Sequence, residues 1–317
     1  MEQEKPRLGI SACLLGQRVR YDGAHKRDAF LTDIFGRYVE WVAVCPELEA
    51  GMGVPRETVR LVGTAASPRM VAEKSGKDWT PAMTRFAANR VTELTGLDLS
   101  GYVFKKDSPS CGLERVRIYH ANNLPARSGR GLFAAAVTEN LPLLPVEEEG
   151  RLNDPALREN FIERVFAYHR WQNQLVGRKS IATLVNFHTE HKFLLLAHSE
   201  HHYRRLGRIV AVAKQNPIRD AYEEYGRFFM AGMAVRATAK KHANVLDHMM
   251  GYFSQRLSPE ERAELVQLIK DFRHQRVPLI VPITLVRHYV RKYQLEYLAN
   301  QAYLDPSPKE LMLRNHV

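Results

Sequence analysis

The 317-residue chain predicts a small α/β domain with a mostly parallel sheet, Rossmann-like in its alternation, followed by an all-α domain. Three observations carry this reading. Short β-branched and aromatic runs alternate with helical patterns up to about residue 145. The segment Pro142-Leu143-Leu144-Pro145-Val146-Glu147-Glu148-Glu149-Gly150 then interrupts both patterns. From Pro155 to about residue 300 the periodicity is helical. The expected layout is an α/β domain over 1–145, a linker over 146–154 and a helical domain over 155–317.

Taken in order, residues 7–13 read as a short buried strand and 14–23 as a loop carrying Arg18, Arg20, Tyr21 and Asp22. His25 to about Phe35 is a candidate helix. Tyr38–Val44 is a strand by composition, and it runs into Cys45-Pro46-Glu47, where proline cannot continue a ladder. Residues 49–56 contain two glycines and a proline and read as loop. Val59–Val62 and Met70–Glu73 pair as a hairpin. A helix follows, with Thr80 as its cap, Pro81 in its first turn and Gly96 as its stop. Gly101–Phe104 and Val116–Tyr119 are further strands, and the loop Arg127–Gly131 opens a helix over Leu132–Val137. In the second half Asp154 caps a helix begun by Pro155, and Ser258-Pro259-Glu260-Glu261 is a capping box. Pro278 and Pro282 interrupt the helical pattern, Leu285–Leu298 resumes it, and the last dozen residues read as a tail.

No apolar run reaches the roughly 18 residues of a membrane span. The polar start Met1-Glu2-Gln3-Glu4-Lys5-Pro6 is unlike a signal peptide, so the expected location is the cytoplasm. The net charge is +11 and is unevenly spread: residues 151–317 carry 26 Lys+Arg against 16 Asp+Glu. A basic second half favours a polyanionic partner.

The loop Lys105-Lys106-Asp107-Ser108-Pro109-Ser110-Cys111-Gly112 concentrates the chemistry. The only other cysteines, Cys13 and Cys45, also close apolar runs. Three thiols at the carboxyl ends of three strands meet at the edge where open α/β sheets bind ligands. Their spacing matches no zinc ribbon or ferredoxin pattern. The residues alone leave three readings open: inert core thiols, one nucleophile with two bystanders, or metal ligands. A four-iron cluster held by three thiolates leaves one iron free as a Lewis acid. Glu47 is then placed as general acid or base, and Ser108 and Ser110 as hydrogen-bonding groups for a substrate.

In the second half His188, His191, His198 and His202 share a face if their helix is unbroken, and they read as packed or solvated side chains. Arg204, Arg205 and Arg208 follow, and Arg287, Arg291 and Lys292 interleave with Tyr289, Tyr293 and Tyr297. Such surfaces suit RNA.

Ser11-Ala12-Cys13-Leu14-Leu15-Gly16, Val19-Arg20-Tyr21-Asp22-Gly23, Cys45-Pro46-Glu47 with Gly53-Val54-Pro55-Arg56, and Lys105–Gly112 together resemble the bacterial thiouracil desulfidase family over residues 7 to about 145. The resemblance implies a [4Fe–4S] cluster on Cys13, Cys45 and Cys111 with one iron not ligated by protein. It implies Glu47 as the acid/base carboxylate and Ser108 as a catalytic serine. Ser110, Lys105 and Asp22 are expected to bind the substrate. The reaction implied is non-redox: water replaces the sulfur of a thiolated pyrimidine and sulfide leaves. The run His191-Lys192 to His198-Ser199, with Tyr203-Arg204 and Leu206-Gly207, resembles a YbgA-like helical domain. The fused arrangement resembles the tRNA 4-thiouridine desulfidases, which implies a tRNA substrate. Two alternatives stand beside it: a desulfidase of free thiouracils or thionucleosides, and a non-catalytic cluster-bearing RNA binder.

Overall fold

The computed structural model describes residues 4–120, 122, 124–175 and 179–315. The chain divides into two units, Met1–Asn153 and Asp154–Val317.

The first unit contains, in order, β1 (Arg7–Ser11), β2 (Glu40–Val44), β3 (Val59–Thr64), β4 (Ser67–Ala72), α1 (Thr80–Thr95), β5 (Gly101–Phe104), β6 (Val116–Tyr119), β7 (Pro125–Gly129), α2 (Leu132–Asn140) and β8 (Val146–Glu148). One sheet runs β2-β1-β5-β8 and is parallel throughout, with Ile10 opposite Ala43 on one side and Val103 on the other. The second sheet, β4-β3-β6-β7, joins two antiparallel hairpins through a parallel β3–β6 pair. Leu8, Ile10, Tyr102, Val103, Phe104 and Phe133 are fully buried. Each such side chain contributes roughly 1.5–3 kcal/mol by leaving water. Gly9 is required here, because a Cβ on it would lie 2.1 Å from the Tyr102 ring.

Several expectations need correction. β1 ends at Ser11, and Ala12–Leu15 is a tight helical turn, so Cys13 sits past the strand. Between His25 and Phe35 only Phe30–Ile34 forms a helical turn, followed by Phe35–Arg37. Residues 48–52, read as loop, form another such turn. Thr80 does not cap α1: its hydroxyl accepts from Met70 N at 2.8 Å, while Asp78 accepts from Thr80 N at 2.9 Å. Part of the expected loop Arg127–Gly131 belongs to β7.

The expected linker departs most from its reading. Val146–Glu148 is the fourth strand of the parallel sheet, and Glu147, Glu148 and Glu149 are all under 9% exposed. Three consecutive acids read as a solvated segment, but each finds donors. Glu147 takes Arg151 Nε at 2.7 Å, Glu148 takes Leu113 N at 2.8 Å, and Glu149 takes Lys106 N at 2.8 Å together with the Lys105 ammonium. Buried charge is tolerated when it is paired in this way.

The second unit is helical: α3 (Pro155–Leu175), α4 (Ile181–His198), α5 (Glu200–Ala211), α6 (Ile218–Ala234), α7 (Ala239–Gly251), α8 (Pro259–Arg273), α9 (Ile280–Lys292) and α10 (Glu296–Ala299). Asp154 Oδ1 accepts from Ala156 N and Leu157 N, and Ser258 and Glu261 form the expected capping box. Trp171 packs against Phe187, Tyr222, Tyr225 and Phe229 in its core. Pro282 sits in the first turn of α9, where a missing N–H costs nothing. The expected tail is docked instead: Leu311 and Leu313 are buried, and Arg314 donates to Tyr303 O at 2.6 Å and to Glu163 at 3.1 Å. No described helix is long and apolar enough to cross a membrane.

Candidate functional site

The turn after β1, the end of β2 and the loop after β5 open on one cavity of about 320 Å³, lined by Cys13, Cys45 and Cys111 among others. Parallel neighbours bring these three ends together, because β1 lies between β2 and β5 with all carboxyl ends on one side. The Ser11 hydroxyl accepts from Lys105 N at 3.0 Å and ties the end of β1 to the end of β5. Gly112 holds the Cys111 loop tight, since a Cβ there would approach Val116 Cγ2 to 2.3 Å and Ser108 O to 2.8 Å.

All three cysteines are free thiols. Burial pushes Cys13 up to about 11 and raises Cys45. Burial raises Cys111 furthest, against hydrogen bonds from Ser11 and Ser110. Left to themselves such thiols stay protonated, whereas a metal centre deprotonates a coordinating thiol outright. The lining also carries Arg20, Lys26, Arg56, Lys105 and Lys106. That positive lining offsets the charge of three clustered thiolates. Donor chemistry, convergence and charge therefore fit an iron–sulfur cluster.

Beside the thiols, Glu47 Oε2 accepts from Arg56 Nε at 3.0 Å and Nη2 at 2.6 Å. Arg56 Nη1 donates to Val19 O and Gly53 O, at 3.0 and 2.9 Å, and its side chain is only 6% exposed. The other Glu47 oxygen accepts from Ser110 Oγ at 2.8 Å and faces Ser108 Oγ at 3.5 Å. Ser108 and Ser110 hydroxyls are 2.9 Å apart, and Ser108 Oγ also accepts from Cys111 N at 3.1 Å. Glu49 Oε1 accepts from Cys45 N at 2.8 Å. Glu47, Ser108, Ser110 and Lys105 thus join the three cysteines on one cavity.

Asp22 does not line that cavity. It is exposed, and its Oδ1 accepts from Ala24 N at 3.1 Å in the turn that follows. Three contributors went unread in the sequence: Arg56 as the clamp on Glu47, Glu49 as a backbone acceptor at Cys45, and Glu149 as the partner of Lys105. Arg56 stood inside the quoted motif, three residues beyond Gly53, which was the available signal. Glu149 carried none, because its segment read as linker.

In the second unit the histidine face breaks at Ser199, whose side chain caps α5. His202 therefore lies on a different helix from His188, His191 and His198. Among the described residues of this unit no group of His, Cys, Asp and Glu is arranged to hold a single metal ion. Of the basic residues expected to meet RNA, Arg204 pairs with Glu200, Arg205 with Glu224, Arg287 with Asp305 and Lys292 with Glu261. Arg208 and Arg291 are exposed and make no ion pair among the described residues.

Residues 8–149 match the 2-thiouracil desulfurase family, and residues 192–308 match a protein family of unknown function, DUF1722. The uncharacterized protein YbgA of Escherichia coli K12 is 31% identical over 153 residues, which span 48% of this chain and 90% of YbgA. The chain belongs to the YbgA family, with a 2-thiouracil desulfurase domain as its first unit. That domain makes it a desulfidase, an enzyme. The uncharacterized protein YbbK of Bacillus subtilis 168 is 29% identical over 108 residues, 32% of this chain and 71% of YbbK. A solved [4Fe-4S]-dependent thiouracil desulfidase, TudS, is 30% identical, with 50% of this chain and all of TudS covered and a TM-score of 0.40.

Proposed function

We propose that this chain is a [4Fe–4S]-dependent tRNA desulfidase that converts 4-thiouridine to uridine in the cytoplasm. The observation that carries the reading is the convergence of Cys13, Cys45 and Cys111 with an Arg56-held Glu47 on one cavity. Cys13, Cys45 and Cys111 would hold the cluster, which when bound would supply one iron free to act as a Lewis acid toward the thiocarbonyl sulfur. Glu47 Oε1 takes a proton from water as that water adds to the ring carbon, and the acid form returns it to the departing sulfur. The balance is a thiocarbonyl plus water giving a carbonyl plus hydrogen sulfide, with no change of oxidation state. Arg56 holds the carboxylate in one orientation throughout, and Ser108 and Ser110 bridge it to the substrate. Lys105, on the same lining, offers a cation to the leaving anion.

The macromolecular substrate is favoured by the charge of residues 151–317, which hold 26 Lys+Arg against 16 Asp+Glu. A free thiobase needs no such surface. The test is nucleoside analysis of bulk bacterial tRNA before and after incubation with anaerobically reconstituted protein, with Cys111→Ala as control. A fall in 4-thiouridine matched by uridine and sulfide, absent with the variant, is the expected result. Unchanged tRNA with prompt turnover of free 4-thiouridine would restrict the substrate to small thiolated pyrimidines. No sulfide from either, with the cluster intact, would sink the catalytic reading.

A further inference from the structure

The three cysteines are not equally held. Cys13 lies in the buried turn Ala12–Leu15, and its carbonyl accepts from Lys26 N at 2.9 Å. Cys111 is buried, and its N–H donates to Ser108 Oγ at 3.1 Å. Cys45 is the most exposed of the three. It follows the last ladder residue of β2, Val44, which pairs with Ser11, and β2 is an edge of the parallel sheet. An edge strand leaves one row of N–H and C=O groups unpaired, so something other than the sheet must fix this ligand.

Glu49 does so. Its N–H donates to Cys45 O at 2.9 Å, and its Oε1 accepts from Cys45 N at 2.8 Å. Both backbone polar groups of the cysteine are thereby closed onto one residue in the turn Leu48–Met52. The other oxygen, Oε2, lies 3.6 Å from Nε of Arg90 on α1, and Glu93 of the same helix takes Arg90 Nη1 at 2.5 Å. The carboxylate thus bridges Cys45 to α1, a helix anchored in the core by Met83, Ala87, Val91 and Leu94. Glu47 is engaged elsewhere, with Arg56 on one oxygen and Ser110 on the other. The two acids beside Cys45 therefore divide their tasks: one faces the cavity chemistry and the other holds the ligand.

A cluster held by three thiolates has no spare protein ligand, so loosening one leaves only two. Groups that orient a metal ligand typically carry about 10- to 100-fold in metal affinity. Given the cluster assigned to Cys13, Cys45 and Cys111, on which this inference rests, we propose that Glu49 is a positioning residue for it. Backed by Arg90, Glu49 fixes the Cys45 backbone so that the thiolate is presented to the cluster, and it acts on iron only through Cys45.

The test is the rate at which anaerobically reconstituted full-length protein loses its cluster to an iron chelator. Visible absorbance follows the loss, and the electron paramagnetic resonance spectrum of the reduced cluster is recorded alongside. Glu49→Ala should lose the cluster about tenfold faster than the wild type, with an altered spectrum. Glu49→Gln keeps an oxygen for Cys45 N and should stay within about threefold, with the wild-type spectrum. Arg90→Gln, which leaves Glu49 in place but removes its charged anchor on α1, should release faster than the wild type and more slowly than Glu49→Ala. Thermal unfolding of the metal-free variants checks the fold. Wild-type rates in both Glu49→Ala and Arg90→Gln overturn the proposal. If Glu49→Ala does not fold, a wild-type rate in Arg90→Gln alone overturns it. So does loss in Glu49→Gln as fast as in Glu49→Ala, because the hydrogen bond to Cys45 would then not be what matters. A wild-type chain that takes up no cluster overturns the cluster reading itself, and this role with it.

Discussion

Arg56 grips a single oxygen of Glu47 with two nitrogens, at 2.6 and 3.0 Å, and leaves the other oxygen turned to Ser110. Both remaining hydrogen bonds of the Arg56 guanidinium are to backbone carbonyls, Val19 O and Gly53 O, of the loops beside the cysteine cavity. The guanidinium therefore acts as a jig: it fixes the carboxylate in one orientation toward Ser110 and, in the proposed mechanism, toward substrate and water.

Arg56→Lys should lower kcat for desulfidation about 10- to 100-fold while KM changes little. A lysine ammonium is a point charge that cannot reproduce the fork, and small misplacements of a catalytic group cost that much. Steady-state kinetics on anaerobically reconstituted protein, with iron content measured in parallel, checks this. An unchanged kcat with full iron content would show that Glu47 is oriented without Arg56.

Glu47→Gln should leave the iron content near that of the wild type and remove at least about 100-fold of the rate, the usual weight of a general acid/base. Cys13→Ala, Cys45→Ala and Cys111→Ala should each lose iron and rate together. Visible absorbance separates the two outcomes. Loss of iron in Glu47→Gln would move Glu47 from catalysis to cluster assembly.

Glu149→Ala should destabilise the first unit by about 3 kcal/mol, the scale for removing one partner of a buried pair. It leaves Lys105 without its carboxylate and Lys106 N without its acceptor. Thermal unfolding of the metal-free chain reads the change. A midpoint unaltered by Glu149→Ala would show that its pairing with Lys105 carries no net stability.

The second unit should weaken in acid. Burial lowers His188 to about 4 and His242 to about 3 from an ordinary 6.5, with Lys192 adding to the first and Arg314 to the second. A folded value below the unfolded one means that stability is complete above about pH 6.5 and is lost as pH falls toward these lower values. Each histidine removes about 3 kcal/mol by pH 4.5. Unfolding followed between pH 7.5 and 4.5 should show that slope, and His242→Asn should flatten it. An equal slope in the variant would assign the acid sensitivity to other groups.

Arg208→Glu with Arg291→Glu should weaken tRNA binding and reduce its salt dependence while leaving turnover of free 4-thiouridine intact. These exposed cations lack intramolecular ion pairs among the described residues and remain available to phosphates. Filter binding at two salt concentrations checks it; equal slopes would remove these two residues from the interface.

The local chemistry of this protein was written in its sequence. Strand identity came from runs such as Gly101–Phe104, helix starts from Asp154-Pro155 and Ser258-Pro259, and three cysteines followed three apolar runs. These features depend on neighbours within a few residues, through hydrogen-bond geometry and side-chain pattern, so the chain displays them directly. Glu47 and the two serines were legible for the same reason, lying in short motifs beside the cysteines.

Tertiary structure decided which distant groups complete one another. Three consecutive glutamates became buried, two of them in a strand, because β5 offered a ladder and Lys105, Arg151 and the Leu113 N–H offered donors. Arg314, in an apparent tail, became an internal cation for Glu163, 151 positions away in the sequence. Arg205 and Lys292 looked free for RNA until the fold placed Glu224 and Glu261 beside them. Whether a charge is solvated or paired depends on which partners the packed chain brings within a few ångströms, and charge composition carries no record of that distance.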